Sequence, residues 1–198
     1  MGKIFYVMGK SASGKDTIYK RLTASLPEVK TVRMYTTRPI RDGETNGVEY
    51  FFTDRQFLER CRKQGTLIEC RTYETVYGPW SYFTADDGQI DLEQGYYLMM
   101  GTLESYEKLQ EYYGRENLVP VYICVDDGLR LLRALNRERQ QKTPRYKEMC
   151  RRYLADEQDF CQESLKRCGI EKQYENEVLD DCVEKIVGDI RSFMKEQH

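Results

Sequence analysis

The nine residues Gly9-Lys10-Ser11-Ala12-Ser13-Gly14-Lys15-Asp16-Thr17 constrain this chain more than any other stretch. They read G-x-x-x-x-G-K. Before them runs Ile4-Phe5-Tyr6-Val7-Met8, apolar, aromatic and β-branched, with strand character. After them Ile18 and Leu22 fall one helical turn apart. Strand, glycine loop and helix form the setting in which this pattern cradles phosphate. Gly9 and Gly14 open backbone conformations closed to residues with a Cβ. N–H groups can then turn inward around phosphate oxygens, aided by the positive end of the helix. Lys15 is expected to lie across the β- and γ-phosphates of a nucleotide. Asp16 stands where a Ser or Thr hydroxyl normally holds magnesium, which makes it a candidate Mg²⁺ ligand. The alternative is that Asp16 caps the helix while Thr17 or water serves the metal.

A chain of 198 residues with 40% apolar and 32% charged side chains reads as one α/β domain with a sizeable core. The net charge of −2 gives no overall case for nucleic-acid binding. No apolar run approaches the ~20 residues that a bilayer crossing needs. Met1-Gly2-Lys3-Ile4 leads straight into a strand, without the pattern of a secretory signal. The seven cysteines are odd in number and contain no CxxC pair, so they read as reduced thiols of a cytoplasmic protein. Cys161 and Cys168, one heptad apart, read as a helix face. The one histidine, His198, leaves little room for histidine catalysis or a zinc site.

Further along, Lys30–Tyr35 reads as a second strand. Asp54 or Thr53 is expected to cap a helix reaching about Lys63 and ending near Gly65. Leu67–Cys70 reads as a strand, Tyr77-Gly78-Pro79 as a turn, and Gly95–Gly101 and Val119–Val125 as buried parallel strands. Helical patterning covers Thr102–Tyr113, Asp127–Gln141, Arg145–Arg167 and Glu177–Lys195. Strands alternating with helices imply a parallel sheet covered on both faces. There are no internal repeats.

Two groups of residues then bear on chemistry. From Arg130 to Arg152 there are nine Lys or Arg against two acids. Such a run is usually a solvated helix face, but phosphoryl transfer depends on cations placed around the moving group. In TTRPIRDGETNGVEYFF, residues 36–52, Arg38 and Arg41 are three apart beside Pro39, and two guanidinium forks can grip one phosphate. Tyr50 adds a hydroxyl. Glu69 is a carboxylate on an apolar strand, able to accept the N1–H and amine of guanine.

In these motifs, GKSASGKD, TTRPIRDGETNGVEYFF, LIEC, VYG and RALNR…RRY in that order, the sequence resembles guanylate kinase over nearly its whole length. The resemblance implies a P-loop three-layer α/β fold with a parallel sheet flanked by helices. Residues 1–34 and 91–198 would form the core, about 35–90 a nucleoside-monophosphate lobe, and about 137–151 a lid. It implies transfer of the γ-phosphoryl group of ATP, with Mg²⁺, to GMP, by a monomer or homodimer. ATP would lie on Gly9, Ser11, Ala12, Ser13, Gly14, Lys15, Asp16 and Thr17. Arg38, Arg41, Tyr50 and Tyr77 would hold the GMP phosphate, and Glu69 and Thr102 the base. Lys15, Arg137 and Arg152, with Arg133, would stabilise the transferring group. The sequence departs from the family at Met34, where a base-binding serine is usual, and at Pro79, in place of Ser or Thr. The Asp-x-Asp that helps bind the guanine amine and the metal aligns with Met100 and Thr102. Lys10 and Ala12 replace a proline and a glycine. Two other functions stay open: a kinase of this fold with a different phosphorylated acceptor, and a binding module without catalysis.

Overall fold

A computed structural model describes residues 2–75 and 77–196. His198 lies outside the described residues. The elements in chain order are β1 (Ile4–Met8), α1 (Lys15–Ser25), β2 (Lys30–Thr31), β3 (Tyr35–Thr36), β4 (Phe51–Phe52), α2 (Arg55–Gln64), β5 (Leu67–Thr75) and β6 (Gly78–Ala85). They continue with β7 (Tyr97–Met100), α3 (Leu103–Tyr113), β8 (Leu118–Cys124), α4 (Asp127–Arg139), α5 (Tyr146–Asp159), α6 (Gln162–Arg167), β9 (Gln173–Glu175) and α7 (Leu179–Glu196).

Five strands form a parallel sheet in the order β2-β7-β1-β8-β9. β1 sits at its centre, and all five of its residues are buried. Because successive strand residues face opposite sides, β1 serves two cores. Ile4, Tyr6 and Met8 pack with Leu103, Tyr106 and Leu109 of α3 and with Leu165 of α6. Phe5 and Val7 pack with Ile18 and Leu22 of α1 and with Val183, Ile186 and Ile190 of α7. Helices therefore cover both faces, which is the α/β class expected from the strand–helix alternation.

A second sheet, β4-β3-β6-β5, is mostly antiparallel and packs on α2 through Leu58, Cys61, Phe83 and Ala85. The expected single strand over Lys30–Tyr35 is split between the two sheets. Lys30 and Thr31 pair with β7, whereas Tyr35 and Thr36 pair with β6. The chain leaves one sheet and enters the other within three residues. Asp54 caps α2 by accepting the Phe57 N–H at 2.7 Å, and Gly65 closes the helix with φ 71°. Pro79 is not in the turn but inside β6, opposite Glu74.

The expected helix over Arg145–Arg167 is two helices. Phe160, which stacks on Tyr122 beneath the core sheet, ends α5, and extended Cys161 starts α6. Cys161 and Cys168 flank the short α6 and do not share a helix face. All seven cysteines are free. Among the described residues no helix is long and apolar enough to cross a membrane.

Candidate active site

The loop between β1 and α1 is built from backbone. Gly14 opens α1 at φ 89°, a conformation that glycine adopts without strain. A Cβ on Gly9 would meet the Ile123 carbonyl oxygen at 2.5 Å, so the loop lies directly against β8. Ala12 takes φ 64°, the left-handed region in which the resemblance expects glycine. The Ser13 carbonyl is held by the Asn176 side-chain amide at 2.8 Å, and both residues are buried. Lys15 is the first residue of α1. Its ammonium lies 3.5 Å from the Asp16 carboxylate, which is 70% exposed, and Asp16 makes no capping bond. Thr17 is exposed next to it.

Helix α5 closes over this loop. Asp156 accepts the Ser11 backbone N–H at 2.8 Å. Arg152 donates to the Ser11 hydroxyl at 3.0 Å, and Lys10 reaches Glu157 at 2.7 Å. Arg137 of α4 lines a small cleft with Ser11 and Arg152, so the structure brings both expected arginines to the loop. Arg133 is placed differently. Its guanidinium donates to the carbonyls of Asn176 and Glu177, supporting the loop that carries Asn176.

The basic run is thus neither one solvated face nor one phosphate clamp. Arg130 is buried, stacked 3.8 Å above the Tyr153 ring, and paired with Asp127, Asp156 and Glu157. Glu138 staples the α4–α5 turn by accepting the Arg145 N–H at 2.9 Å.

The second sheet carries the other candidates. Arg38 is buried and forms a fork on Glu44, with distances of 2.7 and 2.5 Å, while its guanidinium lies over the rings of Tyr50 and Phe52. The hydrogen bonds from Arg38 hold the Glu44 carboxyl down at about 2, against burial and with help from the Arg41 N–H. Burial raises the Tyr50 phenol above its usual range. Arg41 itself is exposed. Tyr77 is 80% exposed and stacks on Trp80 at the tip of the β5–β6 hairpin.

Glu69 is buried, with Thr84 donating to one carboxylate oxygen at 2.8 Å and Arg71 to the other at 3.2 Å. Burial raises its carboxyl above the ordinary range, and Arg71 and Thr84 oppose that shift. Thr102 caps α3 and accepts from Arg71 at 2.8 Å. Sequence reasoning missed Glu44, Arg71, Asp156 and Asn176. Only Arg71 left a local signal, since it lies two residues after Glu69 and shares its strand face.

Residues 1–81 match the guanylate kinase family model. Over those residues the chain is similar to guanylate kinases. It is 37% identical over 76 residues to the guanylate kinase of Coxiella burnetii, covering 38% of this chain and 37% of that protein. It is 37% identical over 90 residues to that of Symbiobacterium thermophilum, covering 46% and 40%. For the Helicobacter hepaticus enzyme the figures are 30% over 115 residues, 57% and 56%. The aligned segments thus span about two fifths to just over half of these curated relatives. In fold, 96% of the chain superposes on 85% of the guanylate kinase from Anaplasma phagocytophilum, with a TM-score of 0.62 at 21% identity.

Proposed function

We propose that this chain is a cytoplasmic nucleoside-monophosphate kinase that transfers the γ-phosphoryl group of ATP to GMP, giving ADP and GDP. The observation that carries this reading is the loop from Gly9 to Lys15, with left-handed Gly14, Lys15 opening α1, and Arg137 and Arg152 converging on Ser11. Phosphoryl transfer asks a protein for positioning and for positive charge around the moving group, and this arrangement supplies both. The second sheet, with Arg38, Arg41, Tyr50 and Glu69, is the acceptor side in this reading, and residues 35–90 are its lobe. The turn and helix over 137–151 then act as the lid, with Lys15 and the two arginines neutralising the γ-phosphate.

Magnesium fits the residues present as a nucleotide-borne ion. Asp16 and Thr17 offer exposed oxygens at the loop, and no cluster of three or more His, Cys, Asp or Glu suited to a metal occurs among the described residues. When bound, the ion would supply positive charge that offsets the charge of the phosphates. Asp16 would hold it on the protein side, beside Lys15.

The test is ATP consumption against a panel of nucleoside monophosphates, with Lys15→Ala alongside. Turnover with GMP is expected, falling by at least about 10²-fold in the variant while its melting curve is unchanged. Near-normal turnover without Lys15 would remove the loop from the mechanism.

A further inference from the structure

Three positions of the base pocket meet on one side chain: Glu69, which keeps the family pattern, and Met34 and Thr102, which depart from it. Arg71 donates from Nε to Glu69 at 3.2 Å, from Nη1 to Thr102 at 2.8 Å, and from Nη2 to the Met34 sulfur at 3.9 Å. The Arg71 and Glu69 side chains are 9% and 2% exposed. A guanidinium has five N–H donors, and sulfur is a weak acceptor, so Arg71 keeps donors for a ligand. Each carboxylate oxygen of Glu69 keeps a lone pair for an N1–H. The Thr102 hydroxyl is taken up by Arg71 and the α3 cap, and Met100 offers no strong acceptor. Only the second carboxylate oxygen of Glu69 is left to receive an exocyclic 2-amine, so that amine gains one hydrogen bond and no dedicated acceptor of its own. A guanidinium pairs bidentately with the O6 and N7 edge of a 6-oxopurine, whereas the 6-amine of adenine would place donor against donor.

We propose that Arg71 is the base-reading residue of this pocket, donating to the 6-oxo edge so that GMP and IMP are used nearly alike and AMP is rejected. This rests on the kinase reading above for its substrates, but not for its own test.

That test compares kcat/KM for GMP, IMP and AMP, and their calorimetric binding without ATP, in the wild type and Arg71→Met. The two oxopurines are expected within about 10-fold of each other and AMP about 100-fold lower. In Arg71→Met the oxopurines should lose about 10- to 100-fold, with the KM for ATP unmoved and the preference over AMP collapsed.

Arg71→Met leaves Glu69 buried without a counter-charge and can unfold the protein. Glu69→Gln/Arg71→Met, read against Glu69→Gln alone, removes that charge and keeps the comparison readable. Unchanged base selectivity in a folded variant overturns the proposal, as does faster GMP turnover, which would make Arg71 a plug. Oxopurine binding that depends on Arg71, without any turnover, would sustain this proposal and sink the kinase reading. Turnover with selectivity indifferent to Arg71 would do the reverse. Failure of either oxopurine to bind overturns the proposal.

Discussion

Arg130→Met should destabilise the protein substantially, although Arg130 lies in a run of sequence that looks like solvated surface. Its side chain is 1% exposed and faces Asp127, Asp156 and Glu157. Removing one member of a buried ion cluster costs about 3–5 kcal/mol, because the remaining charges stay behind unpaired. Here those carboxylates are 56%, 16% and 37% exposed, and Lys10 stays on Glu157 and the Ser11 N–H on Asp156, so water and these partners take over part of their solvation. The stack on Tyr153 at 3.8 Å is lost as well, worth about 2 kcal/mol for a desolvated pair. Methionine keeps much of the aliphatic stem in place. The low end of the range applies, about 3 kcal/mol, which for a chain of this size lowers Tm by about 6–12 °C. Thermal and urea unfolding measure it. Arg21→Met is the control, because the Arg21–Asp180 pair is 46% and 71% exposed and should change stability by about 1 kcal/mol or less. A loss below about 1 kcal/mol in Arg130→Met would refute the reasoning, since it would mean that the cluster does not depend on Arg130, which is more deeply buried than Lys10 beside it.

Asp16→Ala should weaken Mg²⁺ activation much more than metal-free nucleotide binding, with Asp16→Ser recovering much of the activity. A metal titration unmoved by Asp16→Ala would show that the exposed carboxylate has no part in the metal shell. The Glu44 carboxyl is depressed from 4.5 to about 2, chiefly by Arg38, so the pair adds stability that is complete above pH 4.5. That stability should be lost as pH falls from 4.5 towards about 2. Urea midpoints across that window should fall more steeply in the wild type than in Glu44→Gln, and parallel slopes would rule the pair out as their cause.

What the sequence disclosed was what its local rules encode. The loop could be read because glycine, lysine and the flanking strand and helix lie within twenty residues. The α2 cap could be read because Asp54 and Gly65 mark both ends by side-chain chemistry. The β5–β6 hairpin was half seen, since LIEC is apolar while RTYET and GPWSYFTA lack clean alternation. β9, three residues with only Tyr174 buried, carries too little pattern to be recognised. The contacts that set the site join distant residues: Ser11 with Asp156, and Arg71 with Met34 and Thr102. A lone acid or base in a single sequence gives no sign of its partner.

The two arginines of TTRPIR show how far type and spacing can carry a site argument. Read as a pair, they grip one phosphate. In the structure Arg38 is buried with its fork filled by Glu44, and the same carboxylate accepts the Arg41 N–H at 2.9 Å. Glu44 presents two oxygens to the fork as a phosphate would. It also ties the turn from Arg38 to Glu44 into one shape, leaving the Arg41 side chain exposed. A phosphate arriving here meets one committed guanidinium and one free one. Displacing Glu44 would expel a carboxylate held well below its ordinary range. Under the proposed function, the less disruptive course would be for Arg41 and the Tyr50 hydroxyl to bind the phosphate while Arg38 keeps the turn in form. On that division of labour Arg38 acts through Glu44, and its spacing from Arg41 reflects the turn that Glu44 closes.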